Sequence, residues 1–284
     1  MSSSTFQAAA QPAGSAIRLN ARPSRDYVIK VAESRALLAQ AAAQYAALTE
    51  GGAPQVTQAS SLGAEDVVIS HMINSQQLDI GIFVLETGRL HAETLALLGQ
   101  FKAASRAPVT VYTPVHETVV QFVAREGLDP MFKSIALRKE CCNIRKMEPL
   151  ARALEGKKAW ITGLRREQSG ARADVPLTDN SEPRTKLNPL ANWTWGDVWH
   201  YISINQVAYN PLHDQFFPSI GCEPCTRAIS LGEDFRSGRW WWEAELEGGA
   251  AKECGLHVKA EPGLSSALPP STLPVSSLTQ KSPA

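Results

Sequence analysis

The chain has 284 residues, with 28 Lys+Arg against 28 Asp+Glu, 44% apolar residues, 20% charged residues and 5 cysteines. That apolar fraction excludes wholesale disorder, and at roughly 150 residues per domain the length allows one large or two small domains. Zero net charge argues against a general nucleic-acid or membrane-surface binder, so any anion site must be a local cluster.

Residues 1–24 are rich in Ser, Ala, Pro and Gly, and residues 258–284 carry many Pro and Ser with little to bury. Both ends are expected to be unstructured. The first residues show no basic segment followed by an apolar core, and no run approaches the roughly 18 apolar residues of a membrane span. A soluble, cytoplasmic chain is expected, partnered by neither membrane nor nucleic acid, with self-association left open.

Apolar residues recurring at three and four positions predict a helix over residues 27–49. A β-branched run predicts a strand at 55–59, then the turn Ser60-Ser61-Leu62-Gly63 and a helix over 65–75. Small hydroxylated residues and a glycine at a strand-to-helix turn let backbone N–H groups approach an anion, and the helix dipole favours it. A plain helix cap with Ser61 as N-cap explains the same residues equally well. The fingerprints GxGxxG and GxxxxGK[ST] are absent.

A strand over 80–85 runs into Glu86-Thr87-Gly88-Arg89, where a neighbouring loop would meet the same ligand at a base or ribose edge. Helices over 92–104 and 117–126 flank a strand at 109–112. A helix over 140–154 carries Cys141 and Cys142 at its start, with Arg145 and Lys146 one turn on. A strand over 159–163 then leads into Gly163-Leu164-Arg165-Arg166. This alternation implies a parallel sheet with helices on both faces and a ligand in the loops after the strand C-termini. After Asn192 the pattern breaks into a Trp-rich irregular lobe expected to close over the sheet edge, carrying Trp193, Trp195, Trp199, Trp240, Trp241 and Trp242.

The adjacent pair Cys141-Cys142 and the Cys222-Glu223-Pro224-Cys225 loop form a four-thiolate set. One CxxC alone fits a redox dithiol, a zinc knuckle or an iron–sulfur centre. Neighbouring side chains diverge, which favours two different irons of a cuboidal cluster over two vertices of one zinc ion. Zinc and inert buried cysteines stay open. Lys146 would offset cluster charge and face a substrate anion, unless the basic pair is merely a solvated patch. Arg165, Arg166, Arg236 and Arg239 would build a dianion pocket if they converge; surface ion pairing with Glu167, Glu233 and Asp234 is the alternative. Cys254 stands apart, flanked by glycines and close to Lys252 and His257, as a nucleophile on a carrier arm would.

Taken together, SSLGAED, ETGRLH, CCNIRK, GLRREQS, GCEPC, GEDFRSGRWWW and ECGLH resemble the assimilatory sulfonucleotide reductases, nearest the iron–sulfur adenosine 5′-phosphosulfate (APS) branch. The resemblance spans residues 27 to 257, within a reductase domain over 25–257 whose tail, 247–257, carries the nucleophile. It implies an adenine-nucleotide α-hydrolase-like (modified PP-loop) fold and one [4Fe–4S] cluster on Cys141, Cys142, Cys222 and Cys225. Cys254 would be the nucleophile, and Ser60, Ser61, Leu62, Gly63, Thr87, Lys146, Arg165, Arg236, Arg239 and His257 the substrate contacts. The implied activity is thioredoxin- or glutaredoxin-dependent reduction of APS to sulfite and AMP through a Cys S-sulfo intermediate. Where ATP-cleaving relatives carry SGGxDS this chain reads SSLGAED, so ATP hydrolysis is not expected. The readings to be tested against it are the same chemistry on the 3′-phosphorylated substrate, a PP-loop sulfurtransferase using ATP, and a metal-bound nucleotide sensor without turnover.

Overall fold

Short apolar strands separated by helices fold into one six-stranded sheet. The computed structural model of the chain describes residues 15–47 and 52–243. The strands are β1 (Val56–Ser60), β2 (Gly81–Leu85), β3 (Val109–Tyr112), β4 (Ala159–Ile161), β5 (Thr178–Asp179) and β6 (Thr185–Leu187), in the spatial order β3-β2-β1-β4-β6-β5. Every pairing is parallel except β5 with β6. The helices are α1 (Ser15–Asn20), α2 (Tyr27–Gln44), α3 (Ala64–Ser75), α4 (Ala92–Ala104), α5 (His116–Glu126), α6 (Ile135–Cys142), α7 (Glu148–Ala153) and α8 (Trp195–Ile204). Among the described residues no helix is long and apolar enough to cross a membrane.

Alternation along the strands splits the core in two. Val56, Ile82, Val84, Ala159 and Ile161 pack on one face with residues of α2, α3, α4 and α8. Phe83 and Trp160 point the other way, against Leu150, Ala153 and Leu154 in and just after α7. Both faces are therefore covered, as a parallel sheet requires. The chain builds β1, β2 and β3 outward in one direction and then returns to place β4 on the opposite side of β1. That reversal leaves a crevice beyond the C-terminal ends of β1 and β4, where open α/β sheets bind ligands.

Three expectations need correction. Residues 15–24, expected to be unstructured, carry α1 and are held by partly buried polar contacts. Ala16 N–H donates to Asp214 at 3.0 Å, and Ser24 N–H donates to Asp197 at 2.7 Å. Asp197 is wholly buried, pairs with Lys30 at 3.1 Å and caps α8 through Thr194. The cysteine pair closes α6 instead of opening a helix: Ser134 caps that helix by accepting from Leu137 N–H at 3.1 Å, and a π-helical turn, Asn143–Met147, links it to α7. Finally, β5 and β6 extend the sheet by two short strands that no apolar run announced. The remaining end calls, residues 1–14 and 258–284, lie outside the described residues, as does the tail 247–257.

Candidate active site

A cavity of about 200 Å³ opens at the β1/β4 reversal. Its floor is the turn after β1, where Ser61 donates from both its N–H and its hydroxyl to Asp66, each at 2.7 Å. Leu62 N–H donates to the Ser60 hydroxyl at 3.2 Å and Gly63 N–H to the Ser61 hydroxyl at 3.4 Å. Gly163, after β4, must lack a side chain, because a Cβ there would overlap the Asp66 carboxylate and Glu65. Gly63, not Ser61, is the N-cap of α3 and makes no side-chain cap bond.

Four of the lining residues are cationic: Lys146, Arg172, Arg236 and Arg239. Arg239 stacks on Trp240 at 4.7 Å and reaches the carbonyl of Ile220 at 3.3 Å. Gly221 must be a glycine here, because a Cβ would collide with the Arg239 guanidinium. Thr87 and Leu90 close the side next to β2.

Behind Lys146, Cys141, Cys142, Cys222 and Cys225 line a second recess with Arg138, Arg145, Met131 and Trp240. Lys146 lines both spaces. Two isolated bridges, Leu90 with Cys222 and Thr226 with Arg239, tie the Cys222–Cys225 loop to the β2 loop and to the C-terminal lobe. Among the described residues no three His, Cys, Asp or Glu side chains close on a single metal-ion position, so the four thiols surround a recess and not a point.

The electrostatics are uneven. Burial alone would raise the Cys222 thiol, yet Lys146, the Thr87 hydroxyl at 3.3 Å, Arg239 and Arg145 together hold it below its ordinary value. Burial, reinforced by Cys222, pushes Cys225 up to about 12. Burial and the neighbouring Cys142 also raise Cys141.

The sequence profile of the phosphoadenosine phosphosulfate reductase domain matches residues 55–228. Over 206 residues the chain is 50% identical to adenosine 5′-phosphosulfate reductase of Burkholderia cepacia, covering 72% of this chain and 81% of that protein. The chain belongs to the phosphoadenosine phosphosulfate reductase domain family. A second member, adenosine 5′-phosphosulfate reductase of Allochromatium vinosum, is 49% identical over 201 residues, 70% of this chain and 77% of that one. Among solved structures, phosphoadenylyl-sulfate reductase from Candida auris in a phosphate complex superposes with a TM-score of 0.56 at 26% identity, covering 67% of this chain and 88% of that one. The sheet order and these neighbours give the adenine-nucleotide α-hydrolase-like fold expected from the sequence.

In this reductase-family chain, Ser60, Ser61, Gly63, Thr87, Lys146, Arg236 and Arg239 come together around the cavity. Leu62 does not: its side chain is wholly buried in the core below, and its backbone takes the left-handed φ of 61° that turns the loop. Cys254 and His257 lie outside the described residues. The four-arginine dianion pocket is corrected. Arg166 turns outward to the Val175 carbonyl at 2.9 Å. Arg165 is wholly buried beneath the lining, donating to Glu65 at 2.8 Å and Glu167 at 2.9 Å and facing Trp195 at 5.2 Å. A guanidinium has no low-energy neutral state, so it went to the buried carboxylate that needs it. Removing one partner of a buried pair strands the other, so Arg165→Met should cost about 3–5 kcal/mol of unfolding free energy. Urea denaturation checks it, and a variant as stable as the parent would refute the pairing.

Glu65, Asp66, Gln168, Arg172 and His213 also line the cavity and were not anticipated. Acids beside an anion cradle read as helix-capping charges, and His213 follows a Pro with no motif around it. Asp66 and His213 titrate in opposite senses. Burial pushes Asp66 up to about 6, against hydrogen bonds from Ser61 and Gly163. Burial pushes His213 down to about 4. Between about pH 4 and 6 the native state holds a proton on Asp66 that the unfolded chain has lost, so this group lowers stability as pH rises. Between about pH 4 and 6.5 the unfolded chain protonates His213 and the native state does not, so this group raises stability as pH rises. Each slope approaches about 1.4 kcal/mol per pH unit. His213→Phe removes the rising one, so the parent's stability relative to this variant should grow from pH 4 to 6.5. Denaturation at several pH values reads this directly; a pH-independent difference would contradict the depressed value.

Proposed function

We propose that this chain reduces APS to sulfite and AMP in assimilatory sulfate reduction, with the dithiol of a thioredoxin or glutaredoxin as electron donor. The observation that carries the reading is the 50% identity to an APS reductase, in a chain whose cation-lined cavity shares Lys146 with a four-cysteine recess.

The reaction needs a thiolate, because the thiol is a weak nucleophile. Cys254 attacks the sulfur of APS, the bond from that sulfur to the bridging oxygen breaks, and AMP leaves with the electron pair. Cys254 then carries an S–SO3⁻ group. An anion attacking a sulfuryl group ringed by negative oxygens requires cations, and Lys146, Arg236 and Arg239 in the lining, with His257, supply them. One reductant thiolate attacks the Cys254 sulfur and sulfite departs. The second reductant thiol resolves the mixed disulfide, so two electrons from the dithiol account for the reduction.

Cys141, Cys142, Cys222 and Cys225 would hold a [4Fe–4S] cluster. The donor set fits it: four thiols around one recess, with Arg145 and Lys146 beside them to offset anionic charge and Thr87 within 3.3 Å of the Cys222 sulfur. When bound, the cluster supplies local charge and rigidity next to the anion site. Iron and acid-labile sulfide near four per chain are expected in anaerobically purified protein, falling sharply in Cys222→Ser. Stoichiometric zinc without iron would overturn the assignment.

Mass spectrometry of the full chain after APS without reductant tests the reaction itself. An added SO3 on the peptide carrying Cys254 is expected. An unmodified peptide alongside pyrophosphate release from ATP would instead indicate a sulfurtransferase.

A further inference from the structure

Arg239 lines the cavity and is 5% exposed, yet no ion pair with a carboxylate holds it among the described residues. Its Nη1 reaches the Ile220 carbonyl at 3.3 Å and the Ser219 hydroxyl at 3.5 Å, both beyond good hydrogen-bond length, and its Nε is buried with no partner. Two other buried arginines are fixed far more firmly. Arg165 donates to Glu65 and Glu167, and Arg138 makes a two-point pair with Glu243 at 2.6 and 3.0 Å. Long polar contacts orient a guanidinium poorly, so another group must set the direction of Arg239.

The next residue in the chain is placed to do so. Trp240 is 1% exposed, and the Arg239 guanidinium lies over its ring at 4.7 Å. Side chains of adjacent residues in extended backbone point apart. Arg239 is paired with Thr226 across an isolated bridge, and the chain then turns at Trp240 through a left-handed φ of 44°, which a bulky residue adopts only under constraint. That turn returns the indole to the guanidinium of its predecessor. The indole is itself held. Arg138 lies over it at 4.8 Å, Trp240 N–H donates to the Cys225 carbonyl at 3.3 Å, and Glu243 N–H donates to the Trp240 carbonyl at 3.0 Å. The ring nitrogen has no hydrogen-bond partner among the described residues, so what the ring offers Arg239 is its π face.

We propose that Trp240 is a positioning residue, whose ring holds the Arg239 guanidinium in the orientation that meets the anionic end of the substrate. Trp240 does not line the nucleotide cavity, so it acts through Arg239. The inference rests on the reading of Arg239 as a cation for APS.

Titration calorimetry of the full chain tests it in the Cys254→Ser background, with APS and with adenosine, which lacks the anionic end. Trp240→Leu removes the π face and is expected to weaken APS about 10-fold, the scale of a desolvated cation–π contact, while adenosine stays within about twofold. Trp240→Phe, which keeps an aromatic face, should recover part of the loss. In Arg239→Met the further change Trp240→Leu should cost APS nothing more, because the two side chains act as one unit. Iron per chain, measured alongside, checks the cysteine recess that Trp240 also lines. Unchanged APS affinity in Trp240→Leu, an equal loss for adenosine, or the same loss in the Arg239→Met background would overturn the inference. If Trp240→Leu fails to fold or loses iron, Trp240→Phe takes its place in each comparison, where a smaller loss confined to APS is expected and no loss, or an equal one for adenosine, overturns it. A parent that forms sulfite from APS while Trp240→Leu binds APS as tightly leaves the function standing and sinks this inference alone. The APS-specific loss in a chain whose parent forms no sulfite does the reverse.

Discussion

Cys254→Ser is expected to abolish sulfite release from APS while leaving AMP affinity within about twofold of the parent. Serine keeps the size of the side chain but removes the proposed nucleophile, since a hydroxyl at neutral pH has no population comparable to a thiolate. Nucleotide binding is expected to draw on the cavity at the β1, β2 and β4 loops, whose described lining residues run from Ala59 to Arg239. The two measurements therefore separate chemistry from binding. Sulfite is read by a thiol-trapping assay with excess reductant, and affinity by calorimetry. Residual turnover at more than about one part in a thousand would mean that another thiol accepts the sulfo group, and Cys142, the half-exposed member of the four, would be the first to examine.

Lys146→Ala is expected to slow formation of the S-sulfo intermediate by about 10²–10³-fold, the loss usually seen when one preorganised electrostatic donor is removed from an acyl- or group-transfer site. Lys146 occupies the π-helical turn between α6 and α7, a position that lines the nucleotide cavity and the cysteine recess at once. Its charge is also the leading electrostatic influence holding Cys222 below its ordinary value. The variant thus changes two environments, and the assay must tell them apart. Rapid quench and mass spectrometry measure intermediate formation in a single turnover; iron per chain measures whether the recess still holds the proposed cluster. A large rate loss at parental iron content supports a direct action on substrate. An unchanged rate would show that Arg236 and Arg239 suffice.

Much of the scaffold was readable in advance because it depends on local pattern. The strand at Val109–Tyr112 and the helix at Ala92–Ala104 fall where β-branched and three-four periodic runs put them, and the other central strands shift by one residue or two. The cysteine set was legible too, since adjacent Cys and a CxxC loop are rare by chance. The helix carrying Cys141 and Cys142 was read five residues short because its start depends on a single cap, Ser134, outside the apolar periodicity. The strands β5 and β6 were invisible for a related reason: with two and three residues each, they are held by pairing, β6 to β4 and β5 to β6, and not by propensity.

The amino-acid order by itself determined the parallel α/β class, the turn after β1, the adjacent Cys141-Cys142 pair and the Cys222-x-x-Cys225 loop, because each is carried by neighbours in the chain; that the two pairs share one recess was decided by the tertiary structure. Only the tertiary structure decided which charges face the ligand. Arg165 and Arg166 look equivalent in sequence to Arg236 and Arg239, yet one pairs with buried Glu65, another turns to solvent, and the latter two line the cavity beside Arg172 and Lys146. The physical reason is that a guanidinium's role is set by the nearest carboxylate, carbonyl or void, and those partners come from residues up to a hundred positions away.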